Sequence, residues 1–320
     1  MTGHDCRFAD GPFAGRKLGD AWREMPAEWV GTLTERRGRF PLLVKFLFPQ
    51  EKLSVQVHPD DEYAARYEAA AGGRGKTEMW YVLRAQPGAG ILLGMKPEVT
   101  ADSFRRAIAE GTAEKCLESV PLSAGEAAFV PAGTAHTIGP GLVLCEIQEY
   151  SDLTYRVFDY NRRDAEGKSR PLQIEKALAV TRFGKQSGGK IQPVRITQKY
   201  PSSGSLVRTC YGACRYFAAE RLEFAGFLRG RTSAEHFDLF IVLEGTGRMT
   251  WGEGDAHTAD YSPAQVWMIP AALGNYGFAA KSPTTLLRTF VPSESDLDEL
   301  VRNLADCGVD EAARSRLVHP

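Results

Sequence analysis

Four polar side chains in the first half of the chain have the types and spacing that bind a transition metal. Gln56 and His58 alternate with two valines in VQVH (residues 55–58), so both share one face of a predicted strand. Glu78 stands near the start of a strand-like run, and His136 follows a turn shaped by glycine and proline. Two imidazoles, one carboxylate and one amide oxygen suit Zn²⁺ with a position left for water or substrate, and Mn²⁺, Fe²⁺ or Co²⁺ nearly as well. The sequence therefore predicts one divalent ion per chain, with Zn²⁺ preferred.

Each of these residues also has a simpler interpretation. A single histidine in a strand is more often a hydrogen-bonded core or surface residue than a metal ligand, and Gln56 and His58 would equally face solvent. Glu78 beside a glycine-rich turn fits an ordinary sheet edge. We favour the metal site because three motif-like segments would converge in one barrel, and a small barrel has a single interior in which such side chains can meet.

Composition and charge exclude several function classes. The net charge is −1, and Lys and Arg are scattered without a basic run, which argues against a nucleic-acid partner. No stretch approaches the ~18 consecutive apolar residues of a membrane span, and the polar N-terminus lacks the apolar core of a signal peptide. Six dispersed cysteines and no export signal predict a cytoplasmic protein without a membrane partner. A small anionic substrate stays compatible, because it needs only a few local cations.

Short strands joined by turns would position these residues. Gly (32) and Pro (18) are plentiful, which favours many turns over long helices. Strand-like periodicity falls at residues 41–48, 53–58, 77–83, 127–130, 142–148 and 153–158. Thr100 and Gly111 are the expected caps of an amphipathic helix, Asp60 caps another, and residues 171–181 predict a third.

The second half repeats the order of strand signals in the first. FDLFIVL (residues 237–243) resembles the run that contains Glu78, and a Pro-Ala step at Pro270 matches the one at Pro131. The polar, glycine-rich QSGGK (residues 186–190) predicts the linker. We therefore place an N-terminal domain with a helical insertion and a degenerate C-terminal domain at residues 1–185 and 186–320.

The metal pattern is lost in the second half. Aligning the two proline motifs puts Asn275 where the first half has His136, and Asp238 where it has Glu78. His236 is adjacent but has no partners of the kind found in the first half. We expect the second domain to serve packing, stability or an interface.

Residues 125–136 match the second motif of the cupin superfamily, a Gly, five residues, Pro-x-Gly and a His, although Pro140 replaces its final Asn. Four segments resemble, in order, the short bacterial type I mannose-6-phosphate isomerases: VQVHPDDEYA, GKTEMWYVL, FVPAGTAHTIG and EIQEYSDLTYRVFDYNR. The resemblance is dense from about residue 41 to 178 and thin afterwards. It implies a mostly β fold with two cupin-type jelly-roll barrels in tandem and a few helices inserted in and after the first.

The resemblance also implies a metal-dependent interconversion of mannose 6-phosphate and fructose 6-phosphate through an enediol. By the resemblance, the family's metal ligands correspond to Gln56, His58, Glu78 and His136. Its active-site arginine corresponds to Arg156. An acidic residue falls on Glu146, a candidate proton-transfer base alongside a metal-bound hydroxide. Family lysines that meet the phosphorylated sugar fall on Lys76 and Lys45.

Several alternatives stay open. Arg156 would instead form a structural ion pair with Asp152 or Asp159, and Lys76 would simply be solvated. GDAW (residues 19–22) only approximates the family's N-terminal Gly-Glu-x-Trp segment. A non-catalytic sugar-binding bicupin and an Fe²⁺ cupin oxygenase are the competing functions, and a homodimer is compatible with the sequence.

Overall fold

The computed structural model describes residues 6–35, 39–163, 165–184, 188–200 and 204–319. It separates into two compact units, called here the first barrel (Leu42–Ile191) and the second barrel (Met1–Pro41 with Gln192–Pro320). The predicted boundary between residues 185 and 186 lies outside the described residues. Residues 1–41, which the sequence analysis assigns to the first domain, belong to the second compact unit instead.

Two antiparallel sheets form the first barrel. Its strands, in chain order, are β1 (Leu42–Leu47), β2 (Val55–Val57), β3 (Glu78–Ala85), β4 (Gly90–Met95), β5 (Leu117–Pro121), β6 (Ala127–Val130), β7 (His136–Ile138), β8 (Leu142–Glu149), β9 (Tyr155–Phe158) and β10 (Gly189–Lys190). Sheet A has the order β1-β8-β3-β6-β10, and sheet B has the order β5-β4-β7-β2-β9. Gly189 and Lys190, predicted as linker, instead extend sheet A by pairing with β6.

Alternation along the strands produces the core of the first barrel. Trp80 and Val82 of β3 lie beside Leu144 of β8 and pack against Ile91 and Leu93 of β4 in sheet B. All five side chains are almost fully buried, and each such burial contributes about 1.5–3 kcal/mol. The strands that carry the candidate site are therefore anchored by the apolar residues on either side of it.

The second barrel repeats this two-sheet construction. Its strands are β11 (Val194–Tyr200), β12 (Gly204–Cys214), β13 (Phe217–Phe224), β14 (Phe227–Arg231), β15 (Asp238–Glu244), β16 (Gly247–Trp251), β17 (His257–Tyr261), β18 (Val266–Ile269), β19 (Asn275–Ala280), β20 (Thr284–Phe290) and β21 (Val318–His319). One sheet has the order β11-β12-β13-β20-β15-β18 with β21 beside β12, and the other β14-β19-β16-β17. Their facing apolar side chains form one core. The mostly β, double-barrel expectation is confirmed.

The helices lie outside the sheets. They are α1 (Leu18–Trp22), α2 (Ala27–Val30), α3 (Thr32–Glu35), α4 (Asp61–Tyr67), α5 (Ala101–Ala109), α6 (Ile174–Val180), α7 (Glu294–Asp306) and α8 (Glu311–Leu317). The predicted caps are present: Asp60 accepts a hydrogen bond from the Tyr63 amide, and Thr100 forms a capping box with Ser103. Each cap stabilises its helix by about 1 kcal/mol. In the described part of the chain, no helix is long and apolar enough to cross a membrane.

Aromatic packing explains why the N-terminal segment joins the second barrel. Trp22 and Phe40 both contact Phe237, with ring centroids 5.6 and 5.2 Å away. Backbone amides of α3 also donate to the carbonyls of residues 234 and 235. These contacts join residues about two hundred positions apart, so no local pattern in the sequence signals them.

Candidate metal centre and catalytic pocket

Both sheets of the first barrel contribute to one polar cluster. Gln56 of β2 is the register partner of His136 on β7, and both belong to sheet B. Glu78 begins β3 of sheet A, on the opposite wall. His58 lies one residue beyond β2, and the amide of Gly133 donates to its carbonyl at 2.8 Å, which holds the two histidine-bearing segments together.

The three strongest predicted ligands converge. His58 Nε2 lies 3.4 Å from Glu78 Oε1, and His136 Nε2 lies 3.8 Å from Glu78 Oε2. One ligand atom from each residue lies within 4.8 Å of the others, and all three side chains are almost fully buried. Donor atoms spaced in this way can share one ion at ligand bond lengths near 2 Å.

Backbone carbonyls fix both imidazoles in the same tautomer. His58 Nδ1 lies 2.9 Å from the carbonyl of Leu153, and His136 Nδ1 lies 2.9 Å from the carbonyl of Thr134. A carbonyl only accepts, so each Nδ1 carries the proton and each Nε2 presents a lone pair. This is the outer-shell arrangement that orients histidine ligands in metal sites.

The cluster contains buried polar atoms that a cation would satisfy. Within the described residues, His58 Nε2 and both carboxylate oxygens of Glu78 have no hydrogen-bond partner. Leaving such an atom unsatisfied costs about 1–3 kcal/mol, and more when it is charged. Neutral imidazole nitrogens and a carboxylate are the donors that a divalent ion of the zinc type prefers, so the residues fit a metal.

Gln56 reaches the same centre through its amide. Its Nε2 lies 3.1 Å from His136 Nε2, and its Oε1 is 3.4 Å from the Ser54 hydroxyl. The amide nitrogen and oxygen have nearly the same shape, so a half-turn of the amide would bring Oε1 to face the centre. The structure thus places all four predicted ligands together.

The electrostatics keep these groups in ligand-competent forms. Burial, followed by the nearby Lys76 ammonium, lowers the pKa of His58 to about 3, and burial also lowers the pKa of His136. Burial alone would raise the pKa of Glu78, but attraction to the Lys76 ammonium, the largest opposing cause, holds it well below its usual value. At neutral pH the cluster is two neutral imidazoles and one carboxylate.

Lys76 is buried and paired rather than solvated. Its ammonium lies 2.8 Å from Glu78 Oε1, in an ion pair without hydrogen-bond geometry. Although burial alone would lower its pKa, the carboxylates of Glu78 and Glu146 raise it. The positive charge of Lys76 is therefore retained and faces the cluster.

A second acid–base pair lies on sheet A, where Glu146 is the register partner of Trp80. Lys45 of β1 and Glu146 of β8 are register partners, with Lys45 Nζ 3.2 Å from Glu146 Oε2. The Trp80 indole N–H donates to the other oxygen at 3.2 Å. Burial, followed by repulsion from Glu78, raises the pKa of Glu146. Asp152 is 3.9 Å from Lys45.

Arg156 projects from β9 without a carboxylate partner. Its Nε donates to the Ser54 hydroxyl at 3.1 Å, and it forms no ion pair among the described residues. Asp159 pairs instead with Arg162 and Arg170. The structural ion pair considered for Arg156 is therefore wrong, and its guanidinium keeps free donors.

The comparisons with known proteins agree with this geometry. The family model "Phosphomannose isomerase type I, catalytic domain" matches residues 6–78. The mannose-6-phosphate isomerase ManA of Bacillus subtilis is 34% identical over 267 residues, which cover 83% of this chain and 80% of that protein. The chain belongs to the mannose-6-phosphate isomerase family.

Another relative and a solved structure of this mannose-6-phosphate isomerase family are also similar to the chain. The mannose-6-phosphate isomerase of Streptococcus mutans is 38% identical over 213 residues, which span 67% of this chain and 64% of that protein, slightly under two thirds of its length. The crystal structure of the Bacillus subtilis mannose 6-phosphate isomerase matches with a TM-score of 0.76 and 27% identity, covering 89% of this chain and 85% of that one. The double-barrel architecture is thus that of the family.

The second barrel of this family member carries an ion-pair cluster at the related positions. Asp238 begins β15 as Glu78 begins β3, but it accepts two hydrogen bonds from Arg288, at 2.9 and 3.0 Å. Arg288 also donates to Glu220. Asn275 begins β19 and is exposed to solvent. In the second barrel, the positive charge beside the buried carboxylate of Asp238 therefore comes from the guanidinium of Arg288.

Sequence reasoning missed two polar residues beside the site. Trp80 falls within the predicted strand at residues 77–83 and is given no role there, yet its indole N–H donates to Glu146. Gln148 is fully buried and accepts a hydrogen bond from Lys45 at 2.8 Å. The available signal was alternation, because Gln148 must share a face with Glu146 in EIQE.

Proposed function

We propose that this chain is a metal-dependent aldose–ketose isomerase that interconverts mannose 6-phosphate and fructose 6-phosphate. The observation that carries the proposal is the buried set of His58, His136 and Glu78, whose ligand atoms lie within 4.8 Å of one another and near the Glu146–Lys45 pair. Membership of the mannose-6-phosphate isomerase family supports the choice of reaction and substrate.

We assign the metal to Gln56, His58, Glu78 and His136, and propose Zn²⁺ as the ion. Two imidazoles, a carboxylate and an amide leave room for substrate oxygens in the coordination sphere. When bound, the ion supplies Lewis-acid stabilisation of negative charge on the sugar's carbonyl oxygen. Mn²⁺, Co²⁺ and Fe²⁺ remain alternatives because their ligand preferences overlap with those of Zn²⁺.

We assign proton transfer to Glu146. Its carboxylate would take the proton from C2 of the aldose and return it to C1, while the O2 hydroxyl proton ends on O1. The raised pKa suits this task, since a general base works best when its pKa lies nearer the working pH. Lys45 and the Trp80 indole, bound to separate oxygens, would hold the carboxylate during the transfer.

We assign charge recognition to Arg156 and Lys76. The guanidinium of Arg156 keeps donors free of carboxylates and suits bidentate binding of a phosphate or an oxyanion. Lys76 adds a second buried positive charge beside Glu78. We also propose a cytoplasmic location, which the absence of a disulfide among the six cysteines of the described chain supports.

Metal analysis combined with a coupled isomerase assay tests this function. The purified protein should contain about one divalent ion, lose activity when chelated and regain it with Zn²⁺. His136→Ala should lose both metal and activity, whereas Asn275→Ala, altered at the related position of the second barrel, should keep both. No turnover of mannose 6-phosphate with any of the four metals would refute the proposal, and equal losses in the two variants would refute the site.

A further inference from the structure

The side-chain amide of Gln148 uses both its nitrogen and its oxygen in hydrogen bonds beside the site. It is fully buried on β8, and its Nε2 donates to the carbonyls of Glu149 at 2.8 Å and Ser151 at 2.7 Å. Because carbonyls only accept, the amide nitrogen must face them. The orientation of the amide is therefore determined, and Oε1 must point the other way.

The fixed oxygen of Gln148 meets the ammonium of Lys45. Lys45 Nζ donates to Oε1 at 2.8 Å, while it lies 3.2 Å from Glu146 Oε2 and 3.9 Å from Asp152 Oδ1. The Lys45 side chain is 20% exposed, so its end borders open space. A lysine has several rotatable bonds, and fixing them costs up to about 2 kcal/mol of side-chain entropy. The hydrogen bond to the fixed oxygen of Gln148 restricts the rotation of the Lys45 side chain.

An amide at this position differs in kind from a carboxylate. The neutral oxygen of Gln148 orients the ammonium without cancelling its charge, so the charge stays available to Glu146. A glutamate would turn its second oxygen against the two carbonyls that now accept hydrogen bonds, and this contact would be repulsive. The two carbonyls therefore fix the amide nitrogen on one side, and a glutamine, unlike a glutamate, can then present a neutral oxygen to Lys45 on the other.

We propose that Gln148 is a positioning residue that holds the Lys45 ammonium against the Glu146 carboxylate. The inference rests on the proposed function, because it acts through the pair to which proton transfer is assigned. Gln148 itself would touch neither the metal nor the sugar. Its contribution is to keep the Lys45–Glu146 contact in one geometry while substrate enters and leaves.

A double-mutant cycle separates positioning from a structural role. Gln148→Met should lower kcat/KM by about tenfold to a hundredfold, because a hydrogen bond to a charged group is lost, while metal content stays at the wild-type level. In the Lys45→Met background the same substitution should change kcat/KM less than about twofold, since the group it positions is gone. Cys145→Ala, at a buried site on the opposite face of β8, serves as the control. Equal losses from Gln148→Met in both backgrounds would overturn the inference.

A crystal structure of the Gln148→Met variant decides the question without activity. Lys45 Nζ should move beyond about 4 Å from Glu146 Oε2, the limit of an ion pair. An unmoved ammonium would overturn the inference even if activity falls. If this variant does not fold, Gln148→Asn is used, because its shorter amide cannot reach both the carbonyls and Lys45. Absence of wild-type turnover would refute the proposed function alone, and the position of Lys45 would still decide the role of Gln148.

Discussion

Replacing Lys76 with methionine tests whether the buried Glu78 carboxylate depends on a positive charge that either Lys76 or a bound metal ion can supply. The ammonium lies 2.8 Å from Glu78 Oε1, and both side chains are buried. At an effective dielectric constant of about 20, the Coulomb attraction over that distance is about 6 kcal/mol. Part of it is offset by the desolvation of both charges, and removing one partner of a buried pair costs about 3–5 kcal/mol. We expect that loss in the metal-free protein.

The metal-loaded protein should lose much less stability from Lys76→Met. A bound ion would supply positive charge to Glu78 directly, so the carboxylate would remain paired without the lysine. Urea unfolding of the metal-free and the Zn²⁺-loaded proteins measures both values. The exposed pair partner Lys168, changed to methionine, provides a control for which no comparable loss is expected.

The pH dependence of this loss has a definite sign. In the wild type the pKa of Glu78 lies below its unfolded value, so its stabilisation is complete above that value and declines as the pH falls through the native pKa. Without Lys76, burial would raise the pKa, and acid would relieve the buried charge by protonation. The difference in free energy of unfolding between the wild type and Lys76→Met should therefore decrease from pH 7 to pH 5. This reasoning would be refuted if Lys76→Met lowered the free energy of unfolding equally with and without metal. It would also be refuted if the difference from the wild type increased in acid.

Two further substitutions probe the catalytic pocket and the second barrel. Trp80→Phe keeps an aromatic ring in the core but removes the N–H that holds Glu146, so kcat should fall about tenfold with metal content unchanged in elemental analysis. The Trp80 ring also packs edge-on against His136, with ring centroids 5.2 Å apart, so a loss of metal would show that the larger indole ring positions His136 instead. Arg288→Met leaves the buried Asp238 without its partner and should lower the free energy of unfolding in urea by about 3 kcal/mol. Arg248→Met breaks only an exposed pair, and an equal loss there would contradict the assignment.

The convergence of the candidate ligands could be predicted because strand alternation is local. A period of two places Gln56 and His58 on one face, and the proline–glycine motif brings His136 onto the adjacent strand. Gly133 shows the limit of such reasoning: its φ of +83° favours glycine, and a Cβ there would lie 2.9 Å from the carbonyl of Val180. The motif signals the turn, but the close approach to residue 180 is visible only in the fold.

The partners of the charged residues could not be predicted in the same way. Nearby aspartates in the sequence suggested an ion pair for Arg156. In the fold, Asp159 instead forms ion pairs with Arg162 and Arg170. The sequence left Lys76 as either a sugar-binding or a solvated residue, whereas the fold buries it in an ion pair with Glu78. Ion pairs depend on which side chains lie within about 4 Å, and sequence spacing outside a regular element does not fix that distance.

The sequence by itself determined which side chains share a strand face, where helices α4 and α5 begin, and which segments carry the candidate metal donors. These properties depend on neighbours a few positions apart. Only the tertiary structure decided that sheets A and B bring Glu78 opposite His58 and His136, that Lys45 donates to Gln148, and that the described part of the N-terminal segment, including Trp22 and Phe40, packs with the second barrel. Those outcomes depend on sheet pairing and burial between residues far apart in the chain, where many arrangements satisfy the same local pattern.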